Sequence, residues 1–234
     1  MNNTIIQLKI MQRLNKLASQ DYDNIEAWKI VEAFNKGQIN WCRRQLHGLN
    51  VTKTGDEGSK ARVDDLQILL KDLSISFTKK NNYVESPVLP TDYFAWKRIS
   101  AEAISECCSN PHPLVIYLAE EANVDQLLRD ANKRPSYEWG ETFCTLKDNH
   151  IRVYTNNQFN IDKGILTYYR LPRKIEILNT VDPYTQQISS VNIECEFKDD
   201  IIEVLIDEAA KILAGDIESL NQQDIATGQV ESNN

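Results

Sequence analysis

Glycine is scarce in this sequence, with eight in 234 residues, and none stands in a GxGxxG or GxxxxGKS/T frame. A phosphate cradle needs such glycines so that backbone N–H groups can close on the anion, so nucleotide chemistry of that kind has no place to sit. GxSxG and HExxH are also missing, which removes the nucleophile elbow and the helical zinc site. Histidine is rare too. His47, His112 and His150 are the only three, each in or beside a predicted loop, and none adjoins a hydrolase signature. The five cysteines are odd in number and form no CxxC pair, which argues against a disulfide framework and agrees with a reducing compartment. The longest apolar runs, 114–119 and 201–206, fall far short of the roughly 20 residues of a membrane span. The opening MNNTIIQLKIMQR is interrupted by Gln7 and Lys9 and reads as an amphipathic helix, not a signal peptide.

What is present is ordinary for a globular protein: 41% hydrophobic and 26% charged residues, enough for one large domain or two small ones. Acidic residues outnumber basic ones 34 to 26, a formal charge of −8. That balance opposes a sequence-independent grip on nucleic acid, which rests on Lys and Arg neutralising phosphates, but suits a passage through which DNA slides.

Apolar spacing predicts a helix over residues 4–19, with Ile6, Ile10, Leu14 and Leu17 on one face, and a second over 24–46 behind a capping-box-like Asp23–Glu26. Gly37 lies inside the second helix as a possible kink, and Gly48 ends it. Residues 48–60 read as a mobile surface loop, and 63–70 as a short third helix. The period then changes. Residues 74–78 alternate, 79–82 turn into 83–85, and Pro87 and Pro90 break the pattern. Residues 91–108 fit neither period. Strands follow at 114–118, 165–170 and 174–178, with a hairpin over 142–154 and a short helix at 124–131. Residues 191–197 alternate strictly and read as the clearest strand, one face wet and one buried. A helix over 199–221, with a capping-box spacing at Asp200 and Glu203, precedes a polar tail.

The expected fold is therefore α+β. N-terminal helices (1–72) and a C-terminal helix (198–221) form a helical bundle, a β-rich module (73–197) is inserted between them, and 222–234 is a disordered tail.

Each cluster with chemical potential has a plainer reading beside it. Cys107 and Cys108 with His112 could suggest zinc, yet adjacent residues cannot easily aim two ligands at one ion, and buried cysteine is common packing. Asp64–Asp65, Asp199–Asp200 and Asp207–Glu208 could suggest a metal-dependent nuclease. Acids in a first helical turn, or on a solvated helix face, account for them without one. No catalytic, cofactor-binding or metal-ligating residue is assigned. The candidate interaction surface comprises Arg43 and Arg44, a basic pair near Lys53 and Lys60; the aromatic group Tyr93, Phe94 and Trp96; and Asn221, Gln222 and Gln223 at the start of the tail. Arg43–Arg44 could equally be a solvated helix end, and the aromatics, like Tyr168–Tyr169, could equally be core.

Several segments carry a resemblance. EAFNKGQINWCRRQLHG (32–48), GDEGSK (55–60), VDDLQILLK (63–71), ILTYYRLPRK (165–174) and DIIEVLIDEAAKILAGDIE (200–218) resemble a head-to-tail connector protein of crAss-like tailed bacteriophages, and the similarity spans most of the chain. The resemblance implies a structural virion protein made in the host cytoplasm and located at the head–tail junction. Twelve or so copies would form a ring that docks on the portal protein and meets an adjacent tail ring protein. DNA would pass through the lumen without specific binding during genome ejection, and no membrane would be involved. Another tail ring or tail-completion protein is the near alternative; an assembly chaperone and a hydrolase or nuclease with an unfamiliar site are more distant ones.

Overall fold

The structure, a computed structural model, describes residues 1–15, 25–48, 60–105 and 108–216. These group into two compact units, one from 1–68 with the chain from Pro172 onward, the other from Leu69 to Leu171. Among the described residues the fold is α+β, with five α-helices and an eight-stranded sheet.

In the first unit, helices α1 (Asn3–Asn15) and α2 (Ala27–His47) pack on the C-terminal helix α5 (Asp199–Asp216). Ile6, Ile10 and Leu14 of α1 are buried as their spacing predicts. In α2 the expected Phe34, Trp41 and Cys42 are buried, but Ala27, Trp28 and Val31, expected beside them, are only half-buried, and Ile30 and Ala33 take the inner positions instead. α5 is apolar over most of its circumference, burying Ile201, Ile202, Leu205, Ile206, Ala209, Ala210, Leu213 and Ala214. A helix buried on so many sides belongs at the centre of its unit. Each fully buried Ile or Leu contributes about 1.5–3 kcal/mol, and this stripe outweighs any local propensity. Gly37 makes no break in α2. A Cβ there would lie 3.3 Å from Cγ of Glu208, so its bare backbone is what lets α2 approach α5 closely. Gly48 ends α2 in the left-handed region (φ 70°), its N–H returning to Arg44 O. The N-cap of α2 is Glu26, which makes no side-chain capping bond; Asp23 lies outside the described residues, as do the ends of the predicted first and last helices, the loop tip after Gly48 and the tail.

The third helix, α3 (Lys60–Leu66), is followed by a 3₁₀ turn and then, at Leu70, by the first strand. Leu70 and Lys71 are therefore strand residues where the apolar spacing predicted helix. The sheet comprises β1 (Leu70–Ser76), β2 (Thr78–Lys79), β3 (Tyr83–Glu85), β4 (Tyr93–Ser105), β5 (Cys108–Leu118), β6 (Glu141–Lys147), β7 (His150–Tyr154) and β8 (Lys163–Arg170). Their order across it is β1-β8-β4-β5-β6-β7-β3-β2. Every neighbouring pair is antiparallel except β5–β6, which a crossover containing α4 (Val124–Arg129) joins in parallel. The two outermost strands, β1 and β2, are separated in the chain by Phe77 alone. The sheet must therefore curl until its edges come close, and its concave face encloses a core of Ile75, Val84, Ile99, Leu114, Ile116, Cys144, Ile151, Val153, Leu166 and Tyr168. The predicted 142–154 hairpin is β6–β7, turning on Asp148 and Asn149, both with φ near +55° as a two-residue hairpin demands.

Two predicted strands lie elsewhere. Residues 174–178 and 191–197 belong to the helical unit, where Glu176 and Ile193 form one isolated antiparallel bridge. The alternation of 191–197 still describes its burial, for Cys195 and Phe197 are buried, but they face helices: Phe197 meets Trp41 edge-on at 5.4 Å and the Cys195 thiol lies 3.8 Å from Gln38 Oε1. Period two reports extended backbone with one dry side. It does not report what lies against that side. Conversely, the 13-residue β4 occupies the stretch where no period was legible, because register shifts after Tyr93, Trp96 and Ala103 interrupt its alternation.

Candidate interaction surfaces

The carboxylates of α5 occupy two environments. Asp199 is exposed and receives the Met1 amine at 2.8 Å. Asp207 and Glu208 are buried, not part of a solvated face. Asp207 accepts from Arg13 Nε at 2.6 Å, and Glu208 from Arg44 at 2.8 Å. One turn earlier, Glu203 pairs with Lys9 and Arg13. The acids thus fasten α5 to α1 on one side and to α2 on the other. They face guanidinium and ammonium groups, an arrangement that supports packing. Among the described residues no group of three or more His, Cys, Asp or Glu side chains is placed to hold a metal.

The predicted surface residues separate accordingly. Arg43 is exposed, whereas Arg44 is the ion-paired partner of Glu208. Tyr93 and Trp96 pack against the sheet core, with Tyr93 stacked on Tyr168 at 5.6 Å, and burial pushes the Tyr93 hydroxyl up to about 12. Phe94 is half-buried. Tyr168 and Tyr169 are buried. The Tyr168 hydroxyl donates to Asp92 Oδ1 at 2.8 Å, and Lys71 reaches Asp92 Oδ2 at 2.8 Å; the Lys71 hydrogen bond is the main reason the Asp92 carboxyl lies below its usual range. Asn221, Gln222 and Gln223 lie outside the described residues, as does Cys107. His112 lies beside Tyr137, ring to ring at 5.6 Å, on the wall of an open cavity of about 930 Å³ that also meets Arg134, Glu138, Glu141 and Trp139. Trp139 is 81% exposed. The turn forming this wall depends on Gly140 (φ 63°), where a Cβ would fall 2.8 Å from His112 Nε2 and 2.9 Å from Pro113 O.

Two other surfaces carry exposed apolar side chains, and spacing alone did not single them out. The first is a ribbon formed by the chain from 173 to 196. Its base is pinned by helix amides. Asn3 Nδ2 donates to the carbonyls of Glu176 (2.8 Å) and Ile193 (2.9 Å), while Asn35 accepts from Ile175 N–H (2.8 Å) and donates to its carbonyl (3.2 Å). Above the Glu176–Ile193 bridge the two arms exchange backbone bonds again at 179–180 with Ser189 and at Asp182 with Gln187, and Val181 bridges Ile188. Asp182 closes the tip by accepting from the N–H groups of Tyr184 and Thr185, and the bond from Tyr184 is the main reason its carboxyl lies below the ordinary range. The ribbon leaves Leu178, Val181, Tyr184, Ile188 and Val191 in solvent, Tyr184 by 78% and Ile188 by 64%. Arm sequences of this kind are marked by apolar residues in a stretch rich in Asn, Asp, Pro, Gln and Ser, a signal easily mistaken for a pair of sheet strands.

The second surface is the convex side of the sheet. Val115 of β5 pairs with Ser100 of β4, Ser100 with Ile165 of β8, and Ile165 with Ser74 of β1. All four point away from the core, Val115 at 66% and Ile165 at 50% exposure. They make an uncharged stripe across four strands.

No protein-family model matches this chain, and no curated protein matches it in sequence. Among the described residues no helix is long and apolar enough to cross a membrane.

Proposed function

We propose that this chain is a structural protein of a tailed-phage virion, a ring-forming head-to-tail connector that docks on the portal and surrounds the DNA channel between capsid and tail. The observation that carries the reading is the 173–196 ribbon: a pinned, hydrogen-bonded arm that holds five large apolar side chains in water. Exposed apolar side chains gathered on one hydrogen-bonded segment favour contact with another protein surface. The likeness of residues 32–48, 55–60, 63–71, 165–174 and 200–218 to crAss-like connector proteins supplies the kind of partner. A ring of about twelve copies, seated on the portal and followed by an adjacent tail ring, gives each copy two different surfaces to satisfy, since closed rings are built from head-to-tail contacts. A chain with a net charge of −8 also suits a lumen through which DNA slides without adhering.

Mass measurement of the purified chain, alone and mixed with the phage portal protein, tests the reading. The expected result is a ring of many copies, formed at least in the presence of portal and found again in mature particles. Absence of the chain from mature particles would mean an assembly factor, and a stable complex with tail proteins but not with portal would move the ring further down the tail.

A further inference from the structure

We propose that the ribbon of one copy docks on the convex sheet face of a second copy, with Tyr184 and Ile188 lying over the Val115–Ser100–Ile165–Ser74 stripe. The inference rests on the ring-forming reading and names the two surfaces that meet.

Each surface leaves its apolar side chains exposed on its own unit. The ribbon from 177 to 193 contains one charged residue, Asp182, and its carboxylate is turned onto the N–H groups of Tyr184 and Thr185. In a chain that is 26% charged, this arm is close to neutral. That composition selects the occupant. An anionic polymer or an anionic lipid surface would need Lys or Arg among the exposed apolar side chains, and residues 177–193 have none; Arg173 and Lys174 stand at the base, where Arg173 pairs with Glu196. A second copy carries a net charge of −8 and is repelled by the first over most of its surface, so association is favoured where a neutral patch meets a neutral patch.

The convex stripe fits those terms. It is free of charge across four strands, while the neighbouring rows carry Arg98 and Asp72 on one side and Glu102 and Lys163 on the other. The alternation of small Ser74 and Ser100 with Ile165 and Val115 makes shallow hollows about 10 Å apart, the spacing of alternate strands, into which side chains of an arm can settle. The five exposed side chains of the ribbon leave on the order of 500 Å² of apolar surface in water, near the upper end for a monomer. With the adjoining backbone, an arm laid on the stripe approaches the roughly 800 Å² per partner of a stable interface. Arm and stripe are different patches of one chain, so the contact is heterologous and propagates from copy to copy, as a ring requires.

The test uses the full chain with a benzophenone amino acid in place of Tyr184, irradiated under the conditions in which the protein oligomerises, with portal where portal is needed. Half of the copies are isotopically labelled so that links between copies can be told from links within one. The expected product is an inter-copy crosslink to the β5 or β8 peptide containing Val115 or Ile165. Ile165→Glu should lower that yield at least tenfold and weaken self-association by a similar factor, with the circular dichroism and unfolding midpoint of the chain unchanged. Because Ile165 is half exposed, that variant is expected to fold; Ser100→Glu, on the exposed middle of the stripe, provides a second with the same expected effect. Oligomers that persist with crosslinks mapping elsewhere, or that are indifferent to both variants, overturn the docking while leaving the ring reading in place. A chain that stays monomeric alone and with portal overturns both.

Discussion

The side-chain amide of Asn35 brackets the backbone of Ile175, accepting its N–H at 2.8 Å and donating to its carbonyl at 3.2 Å. In this way a residue in the middle of α2 does for the ribbon what a neighbouring strand would do, at a point where Ile175 itself is buried. Asn35→Ala removes both partners from a buried peptide group. The expected loss is about 2–3 kcal/mol in urea unfolding, with accelerated hydrogen exchange at Ile175. Asn35→Asp still accepts but cannot donate, so it should retain the protection of the Ile175 N–H while losing part of the stability. Equal exchange rates at Ile175 in wild type and Asn35→Ala would show that the bracket does not hold the ribbon.

How far the sequence reveals this arrangement depends on what each residue reports. The α1, α2 and α5 stripes were legible because a helix face repeats every three to four residues whatever packs against it. The β6–β7 hairpin was legible because Asp148–Asn149 is turn chemistry on its own terms. Cys195 and Phe197 were legible as buried but not as helix-facing, since alternation is a property of one segment and partner choice is a property of two. Asp207 and Glu208 read as solvated because their partners, Arg13 and Arg44, lie about 190 and 160 residues away along the chain. The convex stripe was invisible for the same reason: Val115, Ser100, Ile165 and Ser74 become neighbours only once the strand order is known.

The Arg44–Glu208 pair should show the asymmetry of buried charge. Glu208 is almost wholly buried and Arg44 is mostly so. Glu208→Ala leaves a guanidinium beside an apolar helix and should cost about 2–4 kcal/mol, allowing for the partial exposure of Arg44. Replacing both, as Arg44→Met with Glu208→Leu, should recover most of that loss. A double-mutant cycle in urea measures the coupling; additive effects would show that the pair does not fasten α2 to α5.

Gly140 carries a different kind of constraint. Its φ of 63° is a conformation that alanine adopts only with strain, and the added Cβ would strike both the His112 ring and the Pro113 carbonyl. Gly140→Ala should therefore destabilise by at least about 2 kcal/mol, measured as a lowered unfolding midpoint. His112→Ala removes one of the two obstacles, so in its background Gly140→Ala should cost less. The Pro113 carbonyl and the positive φ remain, and rescue should be partial.

Alkaline pH should unfold this protein through its buried thiols. Cys144 sits fully buried on the inner side of the sheet, and burial pushes its thiol up to about 12; burial does the same to Cys42, also to about 12, and to Cys195, to about 11. In the unfolded chain each ionises near pH ~8.5. Between that value and the folded one, the unfolded state has released a proton that the folded state retains, so stability is fully present below pH ~8.5 and falls as pH rises. Each thiol contributes a slope of about 1.4 kcal/mol per pH unit in that window. Urea unfolding of the wild type between pH 7.5 and 10.5 should show a flat region and then a steep decline. Cys144→Ala should start lower at neutral pH, by about 1–2 kcal/mol for the lost sulfur and the space it leaves. Above pH ~9 it should decline less steeply by one proton's worth, so that the two curves converge. Curves that stay parallel would mean that the Cys144 thiol ionises as readily inside the folded sheet as in water.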